Sequence, residues 1–269
     1  MITIMHKNLK GNTQEKKLIV DYTDLKSVQV SILTKGNKKL QESEDASNSD
    51  LLIGTFSRLG EGSKQLLKLD GYPVEETFGD EPLCHHCDDC KSYCYNRRNF
   101  WRTNVLNSRI SNTLITQDTS LFSSSLTVAL SNFQKLAKKK GKQPVVRIHV
   151  EGDLSTEAYL LAWLSNIAQF DDIQFYTYTK CYRLMLQYKH HVMMLDNLNV
   201  MISDNDSLSA SEKALIHDLR RFGFKTYYCT NDVVGMLKEN SNAIECNGDN
   251  CHSCKNCIYG KQDVACKIR

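Results

Sequence analysis

Four cysteines fall between residues 84 and 94: Cys84, Cys87, Cys90 and Cys94. Thiolates are soft donors that select zinc, copper(I) or iron–sulfur clusters. Structural zinc usually draws its ligands as two separated pairs, whereas iron–sulfur ligation wraps a cluster in a single loop. Packing all four into one segment therefore favours iron–sulfur. His85 and His86 lie in the same segment and read as exposed loop residues. A second group closes the chain: Cys246, Cys251, Cys254 and Cys257, with Cys266 beyond. Cys251, Cys254 and Cys257 share the spacing of ferredoxin-type loops. Either Cys246 or Cys266 completes that set. Zinc is the alternative, since Cys246–Cys251 and Cys254–Cys257 make two loose pairs. A site closed by four cysteines has no position for a substrate, so its role would be structural or electron relay. Cys181 and Cys229 stand apart and read as small buried hydrophobes.

The chain has 11 cysteines in 269 residues. An odd number excludes a fully paired disulfide framework within one chain. Met1 to Lys17 is polar and lysine-rich, with no apolar stretch of the secretory kind. No apolar run reaches the roughly 18 residues a membrane span needs. A cytoplasmic chain using cysteine for metal or redox chemistry is the expectation. Hydrophobic residues make up 41% and charged residues 24%, an ordinary globular balance. The net charge of +3 is too small to argue for a nucleic acid or a membrane as partner. Lys138-Lys139-Lys140 with Lys142 reads as a solvated helix end.

The elements that must position these residues alternate. Leu121–Lys140 has apolar residues at helical spacing (Leu126, Leu130, Phe133, Leu136, Ala137) and ends in lysines before Gly141, as helix C-termini favour. Val145–Val150 reads as a buried strand, with Arg147 and His149 on one face and Ile148 and Val150 on the other. A helix over Ser155–Gln169 follows, opened by an imperfect capping box at Ser155. Then come a strand at Ile173–Thr179, a helix at Tyr182–Leu195, a strand at Leu198–Ile202, a helix at Ser209–Phe222, a strand at Lys225–Cys229 and a short helix at Val233–Glu239. Upstream, Lys17–Tyr22 and Val28–Leu33 look β-like, and Gln41–Asp50 reads as an exposed loop. Strands alternating with helices predict an α/β fold with a mostly parallel sheet. Functional groups in such sheets gather beyond the carboxyl ends of the strands. That rule selects Glu151-Gly152-Asp153, Thr179-Lys180, Ser203-Asp204-Asn205 and Thr230-Asn231-Asp232.

Several short motifs, in order, resemble the phage gene product 88 family. They are Cys84, Cys90 and Cys94-Tyr95; Arg147-Ile148-His149 followed by Gly152-Asp153; Tyr178-Thr179-Lys180; and Cys246, Cys251, Cys254 and Cys257. Gly36-Asn37 with Leu40 fits the family's opening, so the resemblance runs from about residue 31 to 257. It favours Cys246 over Cys266 in the second set.

That family in turn resembles the radical S-adenosylmethionine enzymes. The resemblance implies a partial (βα) barrel over residues 81–240, preceded by a β-rich extension over 1–80 and followed by a small cysteine-rich cluster segment over 241–269. It implies a [4Fe–4S] cluster on three cysteines of the first loop, with one iron open to S-adenosylmethionine. Tyr93 would approach the adenine. Glu151, Gly152 and Asp153 would bind the cosubstrate, with Asp153 on its ammonium, and Lys180, Ser203 and Asn231 would line the same rim. Asp153 and Lys180 would be the catalytic pair. A flavodoxin or ferredoxin would supply the electron that yields the 5′-deoxyadenosyl radical. This chain offers Cys84, Cys90 and Cys94, or Cys87, Cys90 and Cys94, for the cluster. If all four bind, no iron is open, and the chain would be an electron-transfer or structural cluster protein. The second reading is a non-catalytic binding protein stabilised by zinc or iron–sulfur. Its support is Arg97, Arg98, Phe100, Trp101 and Arg102, a basic and aromatic stretch that could stack bases and meet phosphates.

Overall fold

The structure is a computed structural model, and it describes residues 1–7, 13–21, 24, 32–34, 49–80, 82–84, 102–246, 248 and 251–267. Cys87, Cys90, Tyr93, Cys94 and the stretch from Arg97 to Trp101 lie outside these residues, as do most of Val28–Leu33 and Gln41–Asp50.

Strands β1 (Ile2–Lys7) and β2 (Thr13–Leu18) pair antiparallel. They lie on α1 (Glu61–Leu69), α2 (Val74–Phe78) and α3 (Thr103–Gln117) through a core that includes Ile4, Leu18, Ile19, Leu67, Phe78, Leu106 and Ile110. Asn107 ties β2 to α3, accepting from Ile19 N–H at 3.1 Å and donating to Lys17 O at 3.0 Å.

Among the described residues the main sheet has seven strands, all parallel. They are β3 (Leu51–Thr55), β4 (Gln143–Ile148), β5 (Gln174–Thr179), β6 (Leu198–Asn205), β7 (Lys225–Thr230), β8 (Ala243–Glu245) and β9 (Asp263–Lys267), in the order β3-β4-β5-β6-β7-β9-β8. Parallel neighbours require crossovers, and helices supply them. The crossovers are α4 (Thr119–Lys139), α5 (Glu157–Gln169), α6 (Tyr182–Met193), α7 (Ala210–Arg221) and α8 (Val233–Glu239). The two short C-terminal helices are α9 (Cys251–Cys254) and α10 (Asn256–Tyr259). Among the described residues the sheet does not close: β3 and β8 are its edges, and Thr34 bridges the β3 edge at Thr55. The architecture is an open, partial (βα) barrel. Among the described residues, no helix is long and apolar enough to cross a membrane.

Strand alternation divides the core. Val146, Ile148, Phe175, Val200 and Ile202 point to the helices, against Phe122, Tyr159, Trp163 and Met185. Val145, Tyr176, Leu51 and Ile53 point the other way and pack on Ile258 of α10. The C-terminal segment thus covers the second face of the sheet. β3, within residues 1–80, is the first strand of this sheet, and β8 and β9, within 241–269, lie at its far edge.

Some helix starts carry side-chain caps. Asp118 caps α4, accepting from Ser120 and Leu121 N–H at 3.0 Å, and Ser209 with Glu212 forms a complete capping box on α7. Three local expectations are corrected. The cap of α5 is Thr156, which accepts from Tyr159 N–H at 3.3 Å, because the Ser155 hydroxyl is taken by Arg58. β6 runs on to Asn205, so Ser203 and Asp204 lie within the strand, and Asp204 turns to the helices to pair with Lys213. Arg147 and His149 do not share a face. β4 ends at Ile148, and His149 takes φ 59°, a left-handed turn that breaks strand alternation. His149 therefore joins Phe56, Tyr159 and Trp163 on the helix side. Arg147 lies over the Tyr178 ring at 5.0 Å on the other face.

Candidate functional site

The carboxyl end of β4 carries two left-handed residues, His149 and Gly152 (φ 83°). Between and after them, Glu151 and Asp153 both turn inward and are 4% and 6% exposed. A buried carboxylate must be paired or saturated with donors, and each of these is. Glu151 accepts from Gly60 N–H at 3.0 Å and from the Ser63 hydroxyl, and forms an ion pair with the buried Arg109 of α3. Asp153 accepts on Oδ1 from Thr179 Oγ1 at 2.6 Å and Leu154 N–H at 2.7 Å, and on Oδ2 from Lys180 N–H at 2.9 Å.

The same turn receives the start of the first cysteine loop. Asp153 N–H donates to Leu83 O at 3.0 Å, and Leu83 N–H donates to Glu61 Oε1 at 2.6 Å. Cys84 is thereby set against Gly60 and Glu151. A Cβ on Gly60 would stand 3.1 Å from Glu151 Cγ and 3.2 Å from Cys84 Sγ, so a larger residue there would press on both side chains. Burial, then the Asp153 carboxylate, pushes the Cys84 thiol well up. Cys181 lies in the helix-side core and is pushed up by the same two causes, with Cys84 as a further neighbour. Cys84, Glu151, Gly152, Asp153, Thr179, Cys181 and the Lys180 backbone are therefore one cluster. Ser203 and Asn231 are not drawn into it. The Ser203 carbonyl accepts from Tyr182 at 2.8 Å, and Asn231 is exposed, its N–H 3.5 Å from Asp206.

Sequence reasoning missed the cations that hold this turn. Arg58 is buried, with its guanidinium 4.7 Å over the Tyr159 ring, and donates to Leu83 O and Thr116 Oγ1 at 3.4 Å and to Ser155 Oγ. The available signal was the apolar run Leu51–Thr55 with Arg58-Leu59-Gly60 behind it, the pattern of a strand followed by a rim loop. Arg109 carried no such signal.

His149 Nε2 lies 2.8 Å from the Tyr159 hydroxyl, while Nδ1 is buried with no hydrogen-bond partner among the described residues. Burial, then the Arg58 guanidinium, holds the imidazole well below its ordinary range, so it is neutral in the fold. In the unfolded chain it gains a proton below about 6.5. Between the folded and unfolded values only the unfolded chain binds that proton, so stability is full above this window and falls as the pH drops through it. Lowering the pH from about 7.5 to about 5.5 is expected to reduce the urea midpoint of the wild type more than that of His149→Gln. Equal reductions would remove His149 as the cause.

The second cysteine group is held by β5, β6 and β9. Asn199 donates to Cys257 O at 2.6 Å, Gln174 donates to Ile258 O at 3.1 Å, and Cys246 N–H donates to Ala265 O at 2.8 Å. Cys246, Cys251, Cys254 and Cys257 line one cavity of about 70 Å³ with Tyr176 and Tyr178. Burial pushes Cys257 up to about 11; hydrogen bonding to Tyr178 opposes this, and Cys246, Cys251 and Cys254 add to it. Soft thiols around one cavity fit zinc or iron–sulfur in donor chemistry. Among the described residues, no three His, Cys, Asp or Glu side chains are grouped to hold a metal ion. Holding one therefore requires these thiols to close in and lose their protons. Of the first loop, Cys84 alone is described.

A family model described as Gene product 88 matches residues 31–260. The chain belongs to the gene product 88 family. The Gene 88 protein of Mycobacterium phage D29 is 26% identical over 157 residues, which are 52% of this chain and 61% of that relative. The chain thus spans about three-fifths of the length of the relative it matches. No solved structure matches it. The part that matches the gene product 88 model takes in the first cysteine loop, the Glu151–Asp153 turn and the cavity-lining cysteines, and stops before β9.

Proposed function

We propose that this chain is a radical S-adenosylmethionine-type iron–sulfur enzyme, which reductively cleaves S-adenosylmethionine to start radical chemistry on a further substrate. The observation that carries this reading is the placement of Cys84 against Glu151 and Asp153, at the end of the second strand of an open parallel sheet. The first cysteine loop thereby begins where a cosubstrate would be gripped. Cys90 and Cys94, with Cys84 or Cys87, would hold a [4Fe–4S] cluster. Once bound, such a cluster supplies the electron for cleavage, drawn from a flavodoxin- or ferredoxin-type reductant.

The chain's own part is binding and orientation. Asp153 Oδ2 accepts from the Lys180 N–H, and a carboxylate oxygen has about two acceptor positions. The second position suits the ammonium of the cosubstrate, a charge-assisted hydrogen bond. Gly152 brings the backbone close beside it. The Lys180 side chain would line the approach and Tyr93 would meet the adenine, while Ser203 and Asn231 stand outside the Asp153 cluster. Cys246, Cys251, Cys254 and Cys257 would hold a second cluster, or zinc, as a structural or relay site. The D29 relative is a phage protein, which suggests phage origin and the host cytoplasm as the place of action.

One observation favours the non-catalytic reading. Glu151 is already neutralised by Arg109 and Asp153 already holds three donors, so the turn is satisfied without a ligand. Protein purified without oxygen separates the two readings. With dithionite and S-adenosylmethionine it should release 5′-deoxyadenosine, and Asp153→Asn should lower that release by about 100-fold or more. About eight iron atoms per chain are expected if both groups hold [4Fe–4S] clusters. Zinc without iron, or fully loaded protein that leaves S-adenosylmethionine intact, would sink the enzyme reading and leave the metal-stabilised phage binding protein, whose nucleic-acid or host-factor partner a pull-down would then seek.

A further inference from the structure

Cys229 and Cys266 read as unrelated in the sequence. The fold makes them direct neighbours. β7 and β9 pair in parallel with Cys229 opposite Cys266, and the two sulfurs lie 3.7 Å apart. Both residues are half-buried thiols. Neighbouring strands lie about 4.8 Å apart, and a disulfide accepts Cα separations of about 4.4–6.8 Å. The backbone therefore already has the spacing a disulfide needs, and side-chain rotation supplies the remaining approach of the sulfurs. Cys229 does not behave as an isolated core hydrophobe.

We infer that Cys229 and Cys266 are a redox dithiol, separate from the cavity-lining cysteines, that closes by exchange with a low-molecular-weight disulfide such as oxidised glutathione. One thiolate attacks a glutathione sulfur, forming a mixed disulfide and releasing one reduced glutathione. The second thiolate attacks the protein sulfur of that mixed disulfide and releases the other glutathione. The two electrons and the two thiol protons of the pair thus end on two glutathione thiols. β9 enters after the cavity-lining cysteines. Closing the bond staples the strand that follows that segment to β7, and the loop between residues 229 and 266 contains all four of those cysteines.

The test uses the full chain, isolated without oxygen, treated with oxidised glutathione and digested without reduction. Mass spectrometry should find a peptide pair linked through Cys229 and Cys266, with loss of two alkylatable thiols. Cys229→Ser should leave Cys266 as a mixed disulfide with glutathione. Bound iron or zinc should be the same in wild type and in the Cys229→Ser/Cys266→Ser variant. The wild-type peptide map stands without any variant. Cys266 linked to Cys246 instead, or no linkage at the pair, would overturn the inference. Metal lost from the double variant would also overturn it, by making the pair ligands. None of these readouts depends on S-adenosylmethionine cleavage, so failure here is distinguishable from failure of the enzymatic reading.

Discussion

Arg109→Met is expected to cost about 3–5 kcal/mol of stability. Arg109 and Glu151 are both buried, with side chains 7% and 2% exposed, and they neutralise one another. Methionine keeps much of the arginine's length but leaves the Glu151 carboxylate in the interior with the Gly60 N–H and the Ser63 hydroxyl as its remaining donors. Breaking a buried pair on one side strands a charge, which costs more than the pair itself is worth. Adding Glu151→Gln removes that charge, so the double variant should recover a large part of the loss. Urea denaturation of the wild type, both single variants and the double variant measures the coupling. A loss below about 1 kcal/mol for Arg109→Met would show that water reaches Glu151 and that the pair is not buried in solution.

Gly152→Ala is expected to cost about 2–4 kcal/mol and to disturb the rim as well. A side chain at φ 83° is strained by about 1 kcal/mol before any contact is counted. The new methyl would then stand 2.5 Å from Arg58 Cγ and 3.1 Å from Leu59 O. Overpacking of this kind costs about 1–3 kcal/mol. Arg58 would have to shift from its place over Tyr159, and with it the Leu83 carbonyl that Arg58 and Asp153 N–H both hold. Leu83 precedes Cys84, so the start of the cysteine loop moves too. The expected result is a lower urea midpoint and, if the first loop holds the proposed cluster, less iron bound there. Wild-type stability would mean that the turn relaxes at no cost.

The strand–helix rhythm from Leu121 to Glu239 was legible because it rests on local signals. Apolar periodicity, Ser209 and the lysines before Gly141 are each short-range in the chain. α3 was not legible. Its buried face holds Asn107, Ser111, Asn112, Thr113 and Thr116, which hydropathy counts as solvent-facing. Those residues are inside because distant backbone needs them. Asn112 donates to Ile32 O at 3.2 Å and Ser57 O at 2.8 Å, and Thr113 Oγ1 accepts from Leu59 N–H at 2.9 Å. Arg109 is buried on the same face for the same reason, and its partner Glu151 lies 42 positions along the chain. β3, β8 and β9 were missed as well, since short strands carry little pattern of their own.

The sequence by itself determined the chemistry on offer: soft donors in two groups, a Glu-Gly-Asp turn after an apolar strand, and the alternation that makes parallel strands. Tertiary structure decided which of these meet. It set Cys84 beside Glu151 and Asp153, gave both carboxylates their donors, and left Ser203 and Asn231 outside that cluster. It also placed Cys229 opposite Cys266, because strand register brings together residues that chain order keeps apart. Pairing of buried charges and register of distant strands are long-range choices, settled by desolvation and packing across the whole sheet rather than by any local spacing.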